Sequence, residues 1–260
     1  MFRNFATRVL APALLSCVPL VLGSCTMLVS EKPIFTTSDF DATGALVGHY
    51  DSEDQKGGFV VMPGSDSRLQ VFGFETIPSK RSSAPGRLVQ VSYAEVAAIP
   101  LGNGDFALQF GCTALAEDGK TFGSLLGGSA SRYGNYTAYG IVAQDRKKDH
   151  LWVSINFYEY NGNTYDAIFN KYAIRKHKTD DAKGKGEASE VEVIPPDISR
   201  SAAQALFRDL IATDMLSSGS SQLNTKTNND GELTDDERAA VVLNSSDACV
   251  RVQNQITPLR

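Results

Sequence analysis

The chain has 260 residues, 42% hydrophobic, 21% charged and 9% aromatic, which is enough to bury a sizeable core in one or two domains. Twenty-five basic residues against 30 acidic ones give a net charge of −5. That balance excludes a nucleic-acid binder working by phosphate neutralisation, so no nucleic-acid partner is expected. Composition also excludes a wholly disordered chain, a collagen and a dense disulfide scaffold. Four cysteines, three histidines and one tryptophan leave little for metal or thiol chemistry, and no cofactor is expected.

Residues 1–24 have the form of a secretion signal. Arg3 and Arg8 give a positive start, no acidic residue occurs before Glu31, and an apolar stretch runs from Val9 to Leu22, broken by Pro12 and Pro19. A transmembrane helix needs about 20 apolar residues, more than this stretch supplies. The run ends in Leu22-Gly23-Ser24-Cys25, which resembles the lipobox of bacterial lipoproteins: a branched aliphatic residue and two small ones before a cysteine. The resemblance implies that the Cys25 thiol carries a diacylglyceryl group and that cleavage occurs just before it. A second box, Leu14-Leu15-Ser16-Cys17, lies upstream, but its use would leave Val18–Leu22 exposed on the mature chain. A plain cleaved signal with an incidental cysteine is the remaining alternative. Thr26, where retention in the inner membrane calls for aspartate, favours the outer membrane, with the domain facing the periplasm and the membrane as partner through the lipid. Loss of Arg3 and Arg8 takes the net charge from −5 to −7.

Residues 25–43, containing Ser30, Pro33, Thr36, Thr37 and Ser38, are expected to be a tether, and 44–260 a β-rich periplasmic domain with C-terminal helices. Strands are predicted at 45–50, 58–63, 68–75, 87–98, 106–112, 136–144, 151–157 and 164–175. The clearest alternations are Phe106/Leu108/Phe110/Cys112 and Leu151/Val153/Ile155/Phe157. Asn103-Gly104, Asp118-Gly119 and Asn161-Gly162 supply tight turns. So many short strands predict an antiparallel β-barrel or sandwich, mainly β with C-terminal helices. Leu46-Val47-Gly48-His49-Tyr50 resembles the first strand of small lipocalin-type barrels through its Gly-x-aromatic step, which implies a barrel and not a function.

Residues 178–189 are charged and glycine-rich and are predicted to be a loop. A short strand at 191–194 ends at Pro195-Pro196. A helix is predicted from Ser199 to Met215, burying Ala203, Leu206, Phe207, Leu210 and Ile211. Residues 217–229 are polar and predicted to be loop, and Thr234 with Glu237 makes a capping box for a helix through Val242.

Asn228, Asp230 and Glu237 have the spacing of later EF-hand ligands around Gly231, but the first ligand position falls on Lys226, an ammonium where a carboxylate is needed. The segment is predicted to be a turn and an acidic helix rather than a calcium site. Gly102-x-Gly104-x-x-Ala107 fits a loose dinucleotide fingerprint but runs into a strand instead of a helix. His49, His150 and His177 are isolated in sequence and are predicted to be strand-end surface residues. No Gly-x-Ser-x-Gly elbow occurs. Tyr133, Tyr136, Tyr139, Trp152, Tyr158 and Tyr160 form an aromatic group. Alternation puts Trp152, Tyr158 and Tyr160 opposite Leu151 and Val153, as a binding stripe or as ordinary packing. Cys112 and Cys249 are the pair left for a disulfide in an oxidising compartment, with two separate thiols as the alternative.

The sequence therefore predicts a lipid-anchored, non-catalytic binding or assembly module that meets envelope proteins. The alternatives are a lipocalin-like carrier of a small apolar ligand and an unrecognised hydrolase. The anchored chain is expected to partition into detergent and to exceed the mass of residues 25–260 by its acyl groups. Normal processing and anchoring of Cys25→Ser would remove the lipobox reading.

Overall fold

Alternating apolar residues, punctuated by turn formers, produce a chain that is mainly β. The computed structural model describes residues 27–41, 43–52, 57–78, 86–117, 120–126, 136–145, 150–154, 164–178, 190–213 and 222–242. Among these, twelve strands belong to one sheet: β1 (Met27–Ser30), β2 (Gly48–Ser52), β3 (Gly57–Pro63), β4 (Leu69–Ile77), β5 (Arg87–Gly102), β6 (Asp105–Glu117), β7 (Lys120–Leu126), β8 (Thr137–Asp145), β9 (His150–Ser154), β10 (Arg175–Lys178), β11 (Glu190–Val193) and β12 (Gln222–Asn228). Three helices accompany them: α1 (Thr164–Lys171), α2 (Arg200–Ala212) and α3 (Asp235–Ala240).

The strand order is β10-β11-β1-β8-β9-β12-β2-β3-β4-β5-β6-β7, so β10 and β7 are the sheet's free ends. A further antiparallel pairing joins β6 to β8, from Phe106↔Val142 to Gln109↔Tyr139. Through it, eight strands (β2, β3, β4, β5, β6, β8, β9 and β12) make a ring of antiparallel pairings, with β10-β11-β1 and β7 as flaps. The sheet is mixed because β1 pairs β11 in parallel. At the β5–β6 turn, Asn103 and Gly104 have φ of 61° and 82° between the paired Gly102 and Asp105. Two positive φ values define the two-residue hairpin turn expected of Asn-Gly.

Strands buried on both faces carry three apolar clusters. Within the ring, Tyr50, Val61, Val96, Ala98, Phe106, Leu108 and Val142 pack together, with Leu151 and Val153 partly buried against them. On one outer face, α2 lays Ala203, Leu206, Phe207 and Leu210 over Ala97, Ile99, Ala107, Tyr139 and Ile141. Its start follows the expected chemistry: the Ser199 hydroxyl accepts from Ala202 N–H at 3.2 Å. On another outer face, Val60, Phe72, Phe74, Tyr93 and Cys112 are covered by Leu233, Ala240 and Val241 at the two ends of α3. The Thr234–Glu237 capping box opens α3, as the sequence indicates.

Three expectations need correction. Residues 164–175 are not a strand: α1 buries Ile168 and Phe169, with Tyr172 packed beside them. Ala173 ends this helix in a left-handed conformation (φ 54°) while Ile174 N–H bonds back to Phe169 O at 2.8 Å. Residues 217–229 are not all loop, because β12 completes the ring between β9 and β2. Nor are residues 27–40 a tether: β1 lies between β8 and β11 with Leu28 and Val29 fully buried, and Phe35 and Phe40 reach the core. Residues 25, 26 and 155–157 lie outside the described residues.

Cys112 keeps its burial but changes its face. Glu95 pairs Cys112 while Val96 pairs Phe110, so Gly111 is an extra residue on β6. Such a bulge shifts the alternation by one, and Cys112 leaves the interior face of Phe106, Leu108 and Phe110 for the outer face under α3. It is engaged in a disulfide; the other three cysteines, Cys249 among them, lie outside the described residues. Past α3, Val242 N–H donates to Gln90 Oε1 at 2.8 Å. Gln90 and Glu95, the ladder partner of Cys112, are separated along β5 by about 16 Å at strand rise. Seven residues from Val242 to Cys249 extend to roughly 24 Å, so the bridge lies within reach. Closing more than 130 residues, it would contribute roughly 4–5 kcal/mol in the chain-entropy model. Thiol counting on the denatured, unreduced protein is expected to leave Cys112 and Cys249 unlabelled, and labelling of both would refute their pairing.

Candidate functional site

Two recesses flank β2, because alternation along that strand sends His49 and Asp51 outward and Tyr50 into the ring. The outer one is a groove of about 620 Å³ between α3 and the sheet, lined by His49, Asp51, Gly58, Thr76, Leu88 and Glu237 among others. The inner one opens at the ring's mouth, has about 420 Å³, and is floored by Leu46, Tyr50, Phe106 and Leu151.

In the outer groove His49 is not a surface residue as its isolation in sequence implies; its side chain is 13% exposed. Its Nε2 lies 3.2 Å from Glu237 Oε2 on α3. Its Nδ1 lies 3.3 Å from Asp230 Oδ1 without hydrogen-bond alignment. The Glu237 oxygen that meets the imidazole also accepts from Thr234 N–H at 2.7 Å and Thr234 O–H at 2.9 Å. One carboxylate thus caps α3 and clasps it to the ring. Asp230 is held below the usual carboxylate range, first by the Glu232 N–H, then by the Asn228 amide and the His49 ring.

The residues with calcium-like spacing have other contacts: the Lys226 side chain enters the ring's mouth, Asn228 bonds Asp230, and Glu237 faces Thr234 and His49. Among the described residues no group of three or more His, Cys, Asp and Glu is arranged to hold a metal. Thr227 donates to the His49 carbonyl at 3.5 Å rather than to the imidazole.

At the mouth, Tyr50 stacks on Phe59 with centroids 4.8 Å apart and planes at 15°, and its hydroxyl donates to Leu46 O at 2.9 Å. Burial pushes this phenol well above its usual range. Lys226 pairs Tyr50 across the β12–β2 ladder and therefore projects to the same interior face. Its ammonium sits 5.7 Å from the Tyr50 ring centroid and 3.5 Å from Ala45 O, and burial lowers its pKa. Gly48 is required here: a Cβ would run into the Asn228 carbonyl oxygen and come within 2.6 Å of Lys226 Cε, and φ of +143° is a conformation other residues rarely adopt.

The aromatic group divides. Tyr139 is a core residue with its ring edge-on to Phe35 and its hydroxyl 2.8 Å from Ser30 Oγ, and burial raises its pKa to about 12. Tyr136 packs on the interior cluster and edge-on to His177. Trp152 occupies β9 between Ala143 and Leu223 in the ladder; its side chain, with Tyr133, Tyr158 and Tyr160, lies outside the described residues, as does the His150 side chain. No protein-family model matches the chain, and no curated protein or solved structure does either.

Glu237→Ala removes both the cap and the clasp and is expected to cost about 1–2 kcal/mol. Glu237→Gln keeps a capping acceptor and should lose less. Denaturant unfolding measures the difference; equal losses would mean that the cap contributes nothing and the charged clasp accounts for the whole effect. Millimolar calcium should leave the wild-type melting temperature unchanged.

Proposed function

We propose that the chain is a lipid-anchored protein of the bacterial outer membrane, facing the periplasm, whose β-domain is a non-catalytic binding module with the mouth of the ring as its site. The anchor rests on the Leu22-Gly23-Ser24-Cys25 lipobox. The binding role rests on one observation, the half-open recess whose floor is apolar and whose rim is polar, the usual composition of a small-molecule site.

A carrier that swallows its ligand is less well supported, because the side chains below the recess already fill the ring: Tyr50, Val96, Ala98 and Val142 are all nearly inaccessible. Assembly with an envelope protein draws on the stripe of Trp152, Tyr158 and Tyr160. Native mass spectrometry of the chain released from its own membranes is expected to show a bound small molecule that Leu151→Trp, which fills the recess, removes. A protein crosslinked at the rim residue Gln144, with no small molecule on the wild type, would favour assembly instead.

A further inference from the structure

Among the described residues the Lys226 ammonium at the mouth makes no ion pair with a carboxylate; it meets the Ala45 carbonyl at the limit of hydrogen bonding and the face of Tyr50. Two carboxylates beside the rim are turned to other work. Asp41 accepts from the backbone of Thr43 and Ala45, at 2.9 and 3.2 Å, and Asp105 accepts from Gln144 N–H at 3.2 Å.

A lysine on the interior face of a strand usually carries its ammonium out to water. Here the stem passes over Gly48, where a side chain would block it, and the ammonium stays over the Tyr50 ring. The other face of that ring is stacked on Phe59, so the cation is held in place at the boundary between apolar floor and polar rim. An ammonium partly stripped of water, with donors to spare, attracts an anion more strongly than an exposed one.

We propose that the mouth recess binds a small monocarboxylate with an apolar body, its carboxylate on the Lys226 ammonium and its body against Leu46, Phe106 and Leu151. A volume of about 420 Å³ lies near the small end of ligand pockets, which span roughly 300–1,000 Å³, and suits a single ring or short chain rather than a long acyl tail. The inference rests on the mouth being the binding site.

The test uses isothermal titration of the complete chain in lipid nanodiscs, with empty nanodiscs as blank, and compares phenylacetate with its neutral isostere phenylacetamide. The acid is expected to bind roughly tenfold more tightly than the amide. Lys226→Met, which keeps the unbranched stem, should bind both alike, and Lys226→Arg should retain the preference for the acid. Equal binding of acid and amide by the wild type would overturn the anion inference and leave the mouth as a binding site. A preference for the acid that survives in Lys226→Met would overturn the assignment to this lysine. Binding of neither compound would overturn both the inference and the mouth as the site.

Discussion

The seam between β6 and β8 holds the structure together. Without the four ladder pairs from Phe106↔Val142 to Gln109↔Tyr139, the long sheet would have no ring and no enclosed interior. The last of these pairs also ties down the N-terminal segment. Gln109 accepts from Phe35 N–H at 3.0 Å and donates to Phe35 O at 3.1 Å, while the Tyr139 hydroxyl meets Ile34 N–H at 3.0 Å and Ser30 at 2.8 Å. Both side chains are almost wholly buried, and a buried amide or phenol left without partners would be costly. Gln109 and Tyr139 thus join the ring seam to residues 30–35, and α2 packs on the surface formed there.

Around this seam the helices divide the outer surface. Arg200 at the start of α2 reaches Asp39 and Thr36, at 3.2 Å each, and Arg208 donates to Leu101 O at 2.9 Å. Asp209 accepts from Lys171 at 2.6 Å and from the Tyr172 hydroxyl at 2.8 Å, joining α1 to α2. Exposed pairs of this kind are worth little singly. Their role is orientation, since burial of Phe207 and Leu210 supplies most of the attraction. On the opposite side α3 is too short to bury much, and the His49–Glu237 clasp compensates for that.

Much of the fold was legible in the sequence because period-two alternation reports a strand with one buried face. The limits have physical causes. Strand β12 escapes apolar alternation because its interior positions are Asn224 and Lys226. Helix α1 reads as a strand because Ile168, Phe169 and Tyr172 are helical in spacing but too few to show a period. Alternation puts Cys112 on the wrong face because one extra residue, Gly111, inverts everything beyond it. The clasp was invisible for another reason: His49 and Glu237 lie 188 positions apart, and no local pattern links them. In the sequence Lys226 stands out only as an ammonium at a calcium-loop position, and its inward direction follows from the pairing of β12 with β2.

The early start of β1 has a consequence for how the molecule is held. Met27 already pairs with Val191, so only Thr26 separates the sheet from Cys25. If Cys25 carries acyl chains, as proposed, the leash would be about 7 Å long at full extension. A leash that short would keep the domain close to the headgroups and hold the β11-β1-β8 flank nearest the bilayer, so that the direction in which the mouth points would be restricted.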